Sequence, residues 1–123
     1  MSTKVYILAM AAAMLPIAAV ADGGDVVSVV EGGEVAHQVR PAYPAKAQRA
    51  GIEGTVVVQV EIRRDGTVRR TEAIRGPQRL RRPATSAIKQ WRWQPSLLHG
   101  QPVERQAEVW CWFVLRAPDG RRP

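Results

Sequence analysis

Alternation of apolar and polar positions dominates the middle and the end of the chain. From Thr55 to Ile62, Val56, Val58, Val60 and Ile62 share one face, and Thr55, Gln59 and Glu61 the other, with Val57 interrupting. A period of two predicts a half-buried antiparallel strand. Arg64-Asp65-Gly66-Thr67 follows. Asp-Gly between two strand-like runs predicts a tight hairpin whose two central residues take positive φ. The return strand, about Val68 to Ile74, alternates weakly and is charged, which suits an exposed or bulged strand. The last run, Val103 to Arg116, is long. Val103, Ala107, Val109, Cys111, Phe113 and Leu115 lie on one face, with Arg105 the exception; Glu104, Gln106, Glu108, Trp110, Trp112 and Val114 lie on the other.

Helical spacing appears twice. Pro41-Ala42-Tyr43-Pro44 is extended, because a residue before proline is pushed out of the helical region. Pro44 then suits a first helical position, Ala45 to Ala50 are good helix formers, and Gly51 is a stop. Leu80, Ala84, Ala87, Ile88 and Trp91 form one apolar stripe and predict a second helix over roughly Arg82 to Trp93. Pro83 is placed in its first turn and Pro95 beyond its end. Leu97 to Pro102 reads as a loop. The order helix, strand, strand, helix, strand predicts an α+β domain: a small three-stranded antiparallel sheet with two helices packed on one face.

The front of the chain has a different texture. Lys4 precedes the apolar run Val5 to Leu15, Pro16 breaks it, and Ala19-Val20-Ala21 presents small residues. This is the three-part pattern of an export signal, cleaved between Ala21 and Asp22; the alternative is a short uncleaved anchor in the inner membrane. Asp22 to Arg40 reads as a flexible leader, although Val26 to Val30 has the residues of a short strand. The expected organisation is therefore a signal over 1–21, a leader over 22–40, one domain over 41–116 and a frayed tail over 117–123.

Composition narrows the chemistry. The chain has 123 residues, one domain's worth, and a net charge of +7 from 18 cations and 11 acids. The Arg pairs at 63–64, 69–70, 81–82 and 121–122 form no patch, because neighbours on a strand point to opposite faces. They read as solvated surface with some attraction to anionic lipid, and export argues against nucleic acid as partner. A single Cys excludes an internal disulfide, and two His leave little for a metal site. No nucleophile or acid–base motif stands out, so neither catalysis, a cofactor nor a metal is expected.

Four motifs in order carry a resemblance. They are Arg40-Pro41-Ala42-Tyr43-Pro44, Gly54-Thr55-Val56 with Asp65-Gly66, Trp91-Arg92-Trp93-Gln94-Pro95, and Gly100-Gln101-Pro102-Val103. Together they resemble the C-terminal domain of the TonB family over about Pro41 to Arg116. The resemblance implies an address in the Gram-negative periplasm and no enzymatic activity. It implies capture of an extended segment of an outer-membrane receptor as an added strand on the last strand of the sheet. Arg40, Arg105, Ala107, Val109, Trp110, Cys111, Trp112 and Phe113 then become the partner-binding strand and its flank. Pro41, Tyr43, Pro44, Gly54, Asp65, Gly66, Trp91 and Pro95 become structural. Arg40 stands where the family has Gln; it either favours a more acidic ligand or takes no part in contact. Trp110 and Trp112 are either a partner site or a surface covered internally by Val26 to Val30.

Two alternatives share the same fold. One is a membrane-anchored energy transducer coupling an inner-membrane proton-driven motor to outer-membrane receptors. Only Asp22 to Arg40 would then bridge the distance, a reach of roughly 65 Å when fully stretched. The other is an assembly protein that forms a homodimer through the same strand edge.

Overall fold

The computed structural model describes residues 4–6 and 24–115. The proposed cleavage point at Ala21 and Asp22, Arg116 and the tail lie outside them. The described elements are β1 (Lys4–Tyr6), β2 (Gly24–Glu31), β3 (Val35–His37), α1 (Ala45–Arg49), β4 (Gly54–Ile62), β5 (Val68–Arg75), α2 (Gln78–Ile88), β6 (Arg92–Trp93), β7 (Ser96–Leu98), β8 (Gln101–Val103) and β9 (Arg105–Leu115). The architecture is α+β, as the pattern predicts. The main sheet is antiparallel, with the order β1-β2-β9-β4-β5.

That order enlarges the expected three strands to five. The three expected strands are β4, β5 and β9. The two additional ones come from the front of the chain. Val26, Ser28 and Val30 point into the core, so β2 has the same period of two as β4 and is a core strand rather than a flexible leader. Lys4–Tyr6, expected to be removed with the export signal, pairs with Val29–Glu31 on the far side of β2.

One face of the sheet holds the core. Val56, Val58 and Val60 of β4 meet Cys111, Val109 and Ala107 of β9 in register, and Val26 and Val30 of β2 meet Phe113 and Val109 from the other side. Leu80, Ala84 and Ile88 of α2 and Ala47 of α1 belong to the same buried cluster. Helix α2 runs from Gln78 to Ile88, several residues earlier than the sequence predicts, with Pro77 as its N-cap and Pro83 inside. The apolar stripe is right, but Trp91 and Trp93 lie beyond the helix. Trp91 is buried and its Nε1–H donates to the Val39 carbonyl at 2.6 Å.

Two turns differ in detail. The Gly66 N–H donates to the Arg63 carbonyl and only Gly66, at φ 90°, is left-handed; Asp65 is not. This is a type I turn followed by a glycine bulge, so one positive-φ residue suffices. Gly66 is irreplaceable for a second reason: a Cβ there would stand 2.1 Å from the Trp93 carbonyl oxygen. The segment expected to be a loop is a small hairpin, β7–β8, turned by His99 and Gly100 at φ 52° and 79°. Its register pairs Ser96 with Val103, Leu97 with Pro102 and Leu98 with Gln101.

Candidate strand-acceptor site

The backbone groups of β9 are assigned by alternation. The Leu115 N–H donates to Glu53 Oε1, on the side of β4. Along an antiparallel strand the N–H and C=O of successive residues point to opposite neighbours. Neither register across β9 contains a shift. Odd-numbered residues from Arg105 to Leu115 therefore bond toward β4, and even-numbered residues toward β2. The outward row belongs to Gln106, Glu108, Trp110, Trp112 and Val114.

The addition of a guest strand to the last strand, implied by the resemblance, requires this row to be vacant; it is occupied, and that expectation is corrected. Val114, Trp112, Trp110 and Glu108 face Asp25, Val27, Val29 and Glu31 of β2 without interruption. Only Gln106 extends past the end of β2. The reason is the strand-forming sequence Asp25-Val26-Val27-Ser28-Val29-Val30, which the flanking glycines obscured. The side chains of Ala107, Val109, Cys111 and Phe113 are also unavailable to a partner, being at most 7% exposed on the core face. Arg105 is exposed and its Nη1 donates to Ser96 Oγ at 3.1 Å.

Trp110 and Trp112 lie on the opposite face. Trp110 stands between Val29 and Val57, and Trp112 between Val27 and Thr55. The indoles tilt together with centroids 6.2 Å apart, and Trp110 Nε1–H donates to Glu108 Oε1 at 2.8 Å. Both are half-buried, and Val29 and Val57 beside them are buried. Val27 and Val29 of β2 lie beside the pair in the same sheet and do not lie over its face.

The Arg40–Pro44 segment closes one end of the slot. Tyr43 stacks edge-on against Phe113 at 5.3 Å, and its hydroxyl donates to the Ile52 carbonyl at 2.5 Å. Burial, then the nearby Glu53 carboxylate, raises the Tyr43 pKa. A Cβ on Gly24 would stand 2.7 Å from the Tyr43 ring, so β2 runs hard against it. Arg40 Nη1 lies 3.9 Å from Asp25 Oδ1, which also accepts the Val26 N–H at 2.8 Å. A cavity of about 240 Å³ at this corner is lined by Gly24–Val26, Arg40–Tyr43 and Gln48.

The remaining motif residues serve the scaffold. Trp93 N–H donates to the Gly66 carbonyl, joining the Asp65-Gly66 turn to the Trp91–Trp93 segment. Asp65 accepts from the Thr67 hydroxyl and N–H, which lowers its pKa. Pro41 is buried, Gly54 admits the Pro77 ring, and Pro95 is exposed. Cys111 receives the Ser28 hydroxyl at 3.8 Å, and burial pushes its thiol up to about 11, so it is protonated and inert at neutral pH. Among the described residues no group of His, Cys, Asp and Glu could hold a metal ion, and no helix is long and apolar enough to cross a membrane.

With this geometry in hand, three comparisons agree. The model of the Gram-negative bacterial TonB protein C-terminal family matches residues 39–115. Protein TonB of Vibrio cholerae serotype O1 is 35% identical over 83 residues, 66% of this chain and 34% of that protein. Protein TonB of Pseudomonas aeruginosa is 36% identical over 77 residues, 61% of this chain and 22% of that protein. The chain therefore spans about a third or less of the length of those relatives. The solution NMR structure of the Pseudomonas aeruginosa TonB CTD superposes with a TM-score of 0.53 at 30% identity, covering 64% of this chain and 83% of that one. The chain belongs to the TonB C-terminal family.

Proposed function

We propose that this protein is an exported, periplasmic module of the TonB type that takes part in transport across the envelope. It captures an extended segment of an outer-membrane receptor by adding it as a strand to the β9 side of the sheet. The single observation that supports this reading is that β9 already accepts a strand from outside the family region. β2 ends at Glu31 and the family match begins at residue 39, yet β2 pairs with β9 over eight residues without a bulge. A strand acceptor of this kind offers backbone hydrogen bonds as its main source of affinity, with flanking side chains adding selectivity.

Arg40 and the Trp pair are the flanking groups. A photocrosslinking residue placed at Arg40 or Trp112 in living cells tests the reading. The expected adducts contain a short extended segment of an outer-membrane receptor, identified by mass spectrometry. Adducts confined to inner-membrane proteins, or to a second copy of this chain, would overturn it.

A further inference from the structure

We infer that β2 is a built-in stand-in for the guest, so that capture proceeds by strand exchange and the guest resembles β2: an acidic residue, then β-branched residues around a small one. This inference rests on the strand-addition reading above and names both its regulation and the chemistry of its partner.

Three observations lead there. First, β2 fills the acceptor row of β9 except at Gln106. Nothing can join that row unless β2 leaves. Second, β2 is held by its pairing with β9 and, over Val29–Glu31, with β1, whereas the chain immediately after it is fixed to other parts of the domain. Glu34 O accepts the Gln94 N–H, Val35–His37 pairs with β6, and Val39 O accepts the Trp91 indole. Between this anchor and β2 lie Gly32 and Gly33, at φ 95° and 112°. Two glycines at positive φ form a hinge about which β2 can swing while residues from Glu34 onward stay in place. Third, β2 makes a charge contact suited to a guest: Asp25 with Arg40. A basic residue at this corner selects an acidic one.

The slot also dictates what can replace β2. Val26, Ser28 and Val30 are at most 3% exposed, so an emptied slot would open the core and must be refilled. The position opposite Cys111 takes a small side chain, because Ser28 sits there with its oxygen 3.8 Å from the sulfur. The positions opposite Phe113 and Val109 take β-branched residues. The position against the Tyr43 ring takes glycine. A tethered strand competes at an effective concentration on the order of millimolar, so it weakens a free guest without preventing its entry.

Ser28 and Cys111 provide the test. They are directly opposed, and by the alternation above they form a non-hydrogen-bonded pair, whose close side chains suit a disulfide. Ser28→Cys therefore creates a reversible lock of β2 onto β9. The probe is a labelled synthetic peptide with the sequence Gly24–Glu31, and binding to the full exported chain is read by fluorescence anisotropy. Oxidised Ser28→Cys should not bind the peptide, and reduction should restore binding. Val27→Pro removes an N–H that points at β9, and should bind the peptide at least tenfold more tightly than the wild type. The same peptide with lysine in place of its aspartate should bind several-fold more weakly, and Arg40→Glu should reverse that preference. If the oxidised lock binds as well as the reduced form, exchange is wrong while strand addition at another edge survives. If no form binds, although reduced Ser28→Cys still melts cooperatively, β9 accepts nothing in trans and the proposed function falls as well. Equal binding of both peptides would overturn the acidic guest.

Discussion

Strand β9 has two neighbours, and they are held in different ways. On one side β4 is tied into the fold from both ends. It follows α1 closely, turns through Gly66 into β5, and packs Val56, Val58 and Val60 beneath α2. On the other side β2 is joined to the family region through a two-glycine link, and places Val26 and Val30 in the same core with the polar Ser28 between them. Both strands bond to β9 in unbroken register. Pairing alone therefore does not distinguish a permanent strand from an exchangeable one; on the exchange proposed above, the difference lies in the two-glycine link that follows β2.

The harshest way to break this comparison is to place a carboxylate on each side. Val56→Asp puts an unpaired charge in the middle of the core, a change that costs roughly 3–5 kcal/mol or more and threatens a domain with a total stability of about 5–15 kcal/mol. It should abolish the cooperative urea transition. Val26→Asp should be escaped by undocking β2. The transition then survives at a lower midpoint with a smaller slope, because less surface is left to expose on unfolding. Loss of the transition in both variants would make β2 as obligatory as β4.

Cys111, pressed between the two strands, gives a pH test of the closed state. Burial raises its folded pKa from an ordinary 9.0 to about 11. The neutral thiol is thus favoured by the fold. The associated stability is fully present below pH 9 and is lost as the pH rises through about 11, an effect of roughly 2–3 kcal/mol. Urea midpoints at pH 8 and pH 10.5 should fall by less in Cys111→Ala than in the wild type. An equal fall would mean that the thiol already sees solvent, with β2 open much of the time.

A gentler measurement uses β9 itself. Native-state hydrogen exchange should separate alternate residues of one strand. Amides of Val109, Cys111 and Phe113, directed to β4, should exchange only through global unfolding. Those of Trp110, Trp112 and Val114, directed to β2, should exchange at least tenfold faster, through local opening about Gly32 and Gly33. Uniform protection along β9 would remove the distinction between its neighbours.

The same distinction explains which parts were legible in the sequence. β4, the β4–β5 pairing and the core face of β9 follow from a period of two, because each strand has one wet and one dry side. The motif from Arg40 to Pro44 carried its short helix as well. Helix α2 begins earlier than the position of Pro83 predicts, because the helix starts directly after Pro77 and accommodates Pro83 in its interior. β2 was visible as Val-Val-Ser-Val-Val, but its glycines suggest flexibility at the same time. Gly32 and Gly33 stand at the inferred hinge after the strand, at φ 95° and 112°, and do not interrupt its pairing. The occupied row of β9 was beyond local reading altogether. Which strand takes a vacant edge depends on a contact between residues more than eighty positions apart, such as Ser28 and Cys111.

The smallest expected effect concerns Arg40, and it is the most selective. Its guanidinium is about a third exposed and 3.9 Å from Asp25, so as an ion pair it contributes less than about 1 kcal/mol to global stability. Arg40→Gln should leave the urea midpoint nearly unchanged. It should still matter to β2, because the pair holds the end of the strand farthest from the glycine hinge, where fraying begins. Exchange of the Val114 amide, opposite Asp25, should rise by a few-fold, while the Trp110 amide, nearer the hinge, should change less. Raising the salt concentration in the wild type should imitate the substitution, since screening weakens a half-exposed pair. If neither salt nor Arg40→Gln alters exchange at Val114, Arg40 does not read charge at this corner, and the inferred preference for an acidic guest loses its basis.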